Sequence, residues 1–176
     1  DDHTVEFTLP SFEARKVSVE FDGNRQENLF VVGNRKDTDK PAADAPGVLY
    51  FGPGEHEMGE MEIGDNQTVY VDFGAVLYAN FVVSGSNVRF AGNGIITGKK
   101  MKHWGNTQYA CGDVLFEVGP AGKEYIENFT VENLTFIDSP SWTFMLSHIN
   151  GVRIENINMI NWILNGDGID LVCCQN

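Results

Sequence analysis

The sequence predicts an all-β protein, a right-handed parallel β-helix preceded by a small antiparallel β-unit. Three observations carry that reading. Short alternating apolar segments recur, and no convincing run of apolar residues follows the i, i+3, i+4, i+7 spacing of a helix. Glycine is abundant, at 19 of 176 residues, and Gly and Asn fall between the short apolar runs. The second half repeats itself every 20 to 26 residues, a solenoid period.

The elements follow in order. Val5-Glu6-Phe7-Thr8-Leu9 and Val17-Ser18-Val19-Glu20-Phe21 alternate, and Leu29-Phe30-Val31-Val32 follows the turn residues Asp22-Gly23-Asn24. Alternation puts successive side chains on opposite faces, so these segments read as three antiparallel strands. Residues 34–46 are polar and carry Pro41 and Pro46, as a linker or long loop does. Residues 1–46 are thus expected to form the small unit and linker, and residues 47–176 the first coils of the β-helix, truncated at the C-terminus. From Gly47 short strands succeed one another: 48–51, 60–63, 68–71, 75–78, 81–83, 88–90 and 94–97.

The repeat is clearest where Asn128-Phe129-Thr130-Val131-Glu132-Asn133 matches Asn150-Gly151-Val152-Arg153-Ile154-Glu155-Asn156, 22 positions on. Asn87-Val88-Arg89-Phe90 is an earlier copy and Asn176 begins a later one. Asn suits the bends because it tolerates positive φ and bonds to backbone within a turn. A leucine-rich repeat lacks its Leu-x-x-Leu-x-Leu frame here, and a β-sandwich would not repeat the Asn-strand-Glu-Asn-strand unit. Asn66, Asn128 and Asn133 also fit the glycosylation pattern, and the repeat assigns them to coil bends.

Composition excludes several classes. With 42% hydrophobic and 21% charged residues the chain is globular rather than disordered. No apolar run approaches the roughly 18 residues of a membrane span. Twelve Lys and Arg against 25 Asp and Glu give a net charge of −13, which disfavours nucleic acid as partner. The histidines and cysteines lack metal-ligand spacing, and no cofactor is expected. Cys111, Cys173 and Cys174 read as small buried residues, with a disulfide to another chain as the alternative. The N-terminus, DDHTVEF, has no signal segment, so the expectation is either a cytoplasmic protein or a leader already removed or outside this chain.

Chemistry concentrates in Asn165-Gly166-Asp167-Gly168-Ile169-Asp170. Small residues flank Asp167, which lets a substrate approach closely, and Asp167 stands at the entrance of a strand over 169–172. On composition alone a plain turn is the better explanation of the segment. Lys99, Lys100, Lys102 and His103 form a basic cluster before Trp104. Lys could bind uronate carboxylates and Trp could stack on a sugar, or the cluster is a solvated loop. Trp142 and His148 read as core or turn residues.

At this point the chain resembles the polygalacturonase-like glycoside hydrolases, the parallel β-helix family that acts on pectin. Four segments over roughly 47–176 carry the likeness: Gly92-Asn93-Gly94-Ile95-Ile96-Thr97-Gly98 with Trp104 nearby, Asp138-Ser139-Pro140-Ser141-Trp142, Asn150-Gly151-Val152-Arg153-Ile154, and Asn165–Asp170. Dextranase-like relatives share the helix and a leading β-domain and stay open. The resemblance implies an inverting hydrolase without cofactor, with Asp167 catalytic and positioning the water. It implies substrate binding by Asn165, Asp170, Lys100, His103 and Trp104, a polysaccharide partner, a monomer in the full-length form, and a secreted, periplasmic or cell-surface location. Inverting hydrolysis needs a second carboxyl about 6.5–9.5 Å away. The family supplies it from an Asp-Asp pair one coil later, which this chain lacks, so the general acid is expected beyond Asn176 and the chain is expected to be an inactive front part. Gly166 stands where the motif has Thr. The alternatives are a non-catalytic carbohydrate-binding or adhesion module and, more weakly, a lyase, which would need a calcium cluster and an Arg base.

Overall fold

The computed structural model describes residues 4–13, 15–103, 113–119 and 124–176. Trp104 and Cys111 lie outside the described residues. The chain divides into two compact units, Asp1–Thr38 and Asp39–Asn176. Among the described residues there is no helix.

The first unit is a hairpin of β1 (Lys16–Phe21) and β2 (Asn24–Val32), paired antiparallel with Phe21 opposite Asn24. Asp22 and Gly23 form its two-residue loop, with φ of 53° and 72°. Positive φ at both loop positions gives the turn whose twist matches that of the strands. The third strand expected at Val5–Leu9 is absent. That segment runs without sheet partners, and Val5 and Phe7 are exposed. Alternation marks a segment that could line a sheet, but a strand forms only where a partner supplies hydrogen bonds.

The second unit is a parallel β-solenoid of five coils. Its first face stacks β3 (Val48–Phe51), β5 (Thr68–Val71), β7 (Val88–Gly92), β10 (Ile126–Glu132) and β13 (Ile149–Glu155), all parallel. The other two faces belong to one continuous sheet. In the first two coils the long strands β4 (Gly54–Ile63) and β6 (Ala75–Val83) run through both faces. Later coils use separate short strands. The second face adds β8 (Ile95–Thr97), β11 (Thr135–Ile137) and β14 (Asn158–Ile160). The third adds β9 (Phe116–Val118), β12 (Phe144–Ser147) and β15 (Ile169–Val172).

Each face turns its apolar residues inward, and like side chains stack on like. Phe81, Phe116 and Phe144 are in register, fully buried, with ring centroids 4.7 and 4.6 Å apart. Phe90 and Phe136 meet Phe116 edge-on at 4.9 and 5.6 Å. Such pairs contribute beyond their buried area.

The bends are built from asparagine, as expected. Asn66, Asn87, Asn128 and Asn176 have φ between 57° and 63°, and Gly151 fills the equivalent place at 86°. The Asn87 amide donates to Asn66 Oδ1 at 3.1 Å, and that of Asn128 to Asn87 Oδ1 at 2.8 Å. A second stack joins Asn156 to Asn133 at 2.8 Å. The three glycosylation-pattern residues all lie on these bends. One alignment changes: β10 pairs with β13 at a spacing of 23 residues, Glu127 opposite Asn150. Asn128 therefore aligns with Gly151 rather than Asn150. Replacing Asn87 by Ala should cost about 1–2 kcal/mol, combining lost ladder bonds with the left-handed backbone, while Asn87→Gly should cost less because Gly accepts that backbone. Urea unfolding of both variants checks the order.

Candidate active site

Three connections between the second and third faces stack on one another: 138–143, 161–168 and, of the first, the described residues 98–103 and 113–115. The backbone ties adjacent coils together here. Thr143 N–H donates to Asp167 O at 2.8 Å, and Phe144 N–H to Gly168 O at 3.1 Å. Asp167 thus stands at the entrance of β15, as the sequence implies, with its side chain exposed. Asn165 precedes it in the left-handed conformation, φ 63°. Gly166 is hemmed in rather than loose: a Cβ there would lie 2.7 Å from Ile163 Cγ2 and 2.9 Å from Ile163 O. The motif's Thr would not fit this loop without a shift.

Asp170 lies on β15, opposite Met145, which in turn lies opposite Glu117 on β9. The flanking Phe116, Val118, Phe144 and Leu146 point inward and are fully buried. Glu117, Met145 and Asp170 therefore share the outward side of the third face. Two strand spacings separate Glu117 from Asp170, about 10 Å between backbones.

Asp170 is half-buried, and its Oδ2 is shielded from solvent with no hydrogen-bond partner among the described residues. Burial, and after it the charge of Asp167, holds its carboxyl above the usual aspartate range. The folded state thus binds this proton more tightly than the unfolded chain, and stability is lost as pH rises from the ordinary aspartate value through the raised one. Asp170→Asn should therefore be more stable than wild type at pH 7, an advantage that vanishes near pH 3. Urea midpoints at the two pH values measure it.

Beside this face lies a cleft of about 210 Å3, lined by His103, Asp138, Ser139, Trp162 and Ile163. Ser139 is fully buried. Its N–H donates to Asn161 Oδ1 at 3.1 Å, its hydroxyl lies 2.9 Å from Thr143 Oγ1, and the Asn161 amide donates to Thr143 Oγ1 at 2.6 Å. This network ties two of the stacked connections into one wall. Trp162 is 77% exposed.

The expected site residues separate into groups. Asn165, Asp167 and Asp170 share one connection and the strand it enters. His103 lines the cleft, its Nε2 donating to Gly98 O at 3.1 Å. Lys100 goes elsewhere: it pairs with Glu57 and its ammonium sits 4.1 Å from the Tyr78 ring centroid. Trp142 is half-buried, and His148 bonds Ser147 Oγ at 2.7 Å and meets the Tyr125 ring edge-on. Cys174 packs against the core, but Cys173 is exposed on a left-handed bend, φ 52°, contrary to the expectation that it is buried. Among the described residues no group of three or more His, Cys, Asp or Glu is arranged to hold a metal ion.

Sequence reasoning missed Glu117, Asp138 as a lining residue, and Trp162. Glu117 is legible only once the 28- and 25-residue offsets of the third-face strands are known.

No family model matches the chain, and no curated protein matches it by sequence. Among solved structures, the chain is similar to a Parabacteroides merdae protein named a "putative glycosyl hydrolase". The two are 20% identical with a TM-score of 0.53, and the match covers 74% of this chain and 71% of that one. At this identity the likeness is one of fold.

Proposed function

We propose that the chain is a polysaccharide hydrolase whose reaction surface is the outward side of the third face. One observation carries the reading: two carboxyl groups at the entrance of β15 sit in different environments. Glycosidic hydrolysis needs one carboxyl that keeps its proton for the leaving oxygen and one carboxylate that faces water. Asp170, desolvated beside Asp167, retains its proton to higher pH, and on this reading it takes the acid's place that the resemblance puts beyond Asn176, so that the chain is active as it stands and not an inactive front part. Asp167 is open to solvent and is the group that positions the water. The name of the similar solved structure supports the same class of activity.

The finer reading is a polygalacturonase-like, inverting enzyme. The Asn165–Asp170 motif supports it. A secreted, periplasmic or cell-surface location goes with it. The test is release of reducing ends from neutral polysaccharides and from polygalacturonate, with the product anomer followed by proton NMR. New ends of inverted configuration are expected. No release from any of them removes the hydrolase reading. The second reading, a non-catalytic carbohydrate-binding module, is favoured by the exposed indole of Trp162 at a formed cleft, which binding uses and hydrolysis does not require.

A further inference from the structure

We infer that the cleft formed by His103, Asp138, Ser139, Trp162 and Ile163 is a subsite for a neutral glycosyl unit, so that the polymer recognised is a neutral polysaccharide rather than a polyuronate. The inference rests on the glycan reading proposed above, and holds whether or not the bond is cut.

The cleft combines an aromatic surface with a few polar groups on a fixed wall, the usual make-up of a small-ligand site. Trp162 offers an exposed indole, and the C–H face of a pyranose is the apolar surface that packs on such a ring. Asp138 is held at the end of β11, its N–H donating to Ile160 O at 3.2 Å. Its carboxylate can accept two hydrogen bonds from neighbouring sugar hydroxyls. The carbonyl of Gly98 can only accept, so His103 Nε2 carries a proton and leaves Nδ1 as the nitrogen available to a hydroxyl. The buried Ser139–Thr143–Asn161 network keeps the wall in place without ligand.

The sign of the charge selects the sugar. A uronate needs a cation within reach; among the described residues no Lys or Arg lines the cleft, Lys99 and Lys102 lying outside its lining and Lys100 being engaged by Glu57 and Tyr78. Asp138 does line it. Asp167 and Glu117 stand along the adjoining face and bring no cation to it. A uronate carboxylate about 6 Å from Asp138 would lose roughly ten-fold in affinity at an intermediate effective dielectric. A neutral sugar meets no such penalty.

Calorimetric titration of the 176-residue chain with malto-, isomalto-, cello- and xylohexaose and with hexagalacturonate tests this. At least one neutral hexaose should bind, and hexagalacturonate at least ten-fold more weakly than it. Trp162→Ala should weaken the neutral ligand ten-fold or more with its unfolding midpoint unchanged, since that side chain is exposed. Asp138→Asn should weaken the neutral ligand and narrow the gap to hexagalacturonate. Hexagalacturonate binding as tightly as the best neutral hexaose overturns the inference. So does binding by no neutral hexaose, or neutral binding untouched by Trp162→Ala. Binding as described without release of reducing ends leaves the inference standing and removes only the hydrolase reading.

Discussion

Replacing Phe116 with alanine is expected to destabilise the solenoid by about 3–5 kcal/mol, the range for deleting a large buried aromatic. Phe116 is fully buried at the centre of the aromatic stack, between Phe81 and Phe144 along the third face and against Phe90 and Phe136 across it. Its neighbours belong to its own coil and to the two adjoining ones, so no single movement closes the cavity. Solenoid coils draw their stability from the interfaces with their neighbours, and the loss falls on two such interfaces at once. Phe116→Leu keeps most of the volume and should cost distinctly less. Denaturant unfolding of both variants gives the two values. A cost below 1 kcal/mol for alanine would mean that the stack is not the core.

Asp167→Asn should lower turnover by roughly 10²–10⁴-fold, the span attributed to a positioned acid or base. The side chain is exposed and the structural bond at this position is made by its backbone carbonyl, so folding should be unaffected. A second effect separates this role from a structural one. Part of the upward displacement of Asp170 comes from the charge of Asp167. Removing that charge moves Asp170 back toward the ordinary range, so the residual activity should fall away at lower pH than in wild type. The pH profile of the remaining rate reads this directly. Near-normal turnover with an unmoved profile would take Asp167 out of the chemistry.

The architecture was legible because a solenoid writes its repeat into the sequence. The strands expected over 48–51 and 68–71 coincide with β3 and β5. Asparagine marked the bends because left-handed backbone excludes most other residues. The strands that escaped notice were β9 and β12, of three and four residues. Segments that short carry almost no alternation signal. That omission hid Glu117, whose neighbourhood with Asp170 exists only through the pairing of these strands. Trp162 was hidden for a different reason: an exposed aromatic has no periodicity, and only the fold reveals that it borders a cleft. Lys100 was misleading because charge in a sequence does not show which partner engages it; a glutamate two coils earlier does so here. The Val5–Leu9 segment shows the opposite failure, a good strand pattern with no edge to join.

The account's central claim is that glycan lies along the outward side of the third face. The most direct measurement is a crystal structure of Asp167→Asn with the neutral hexaose that binds best. The account predicts a chain of sugars running past Asp170 and Glu117, with one ring stacked on Trp162 and hydroxyls on Asp138. A glycan bound on another face, or at the apolar end lined by Val152, Ile154 and Leu171, would contradict it.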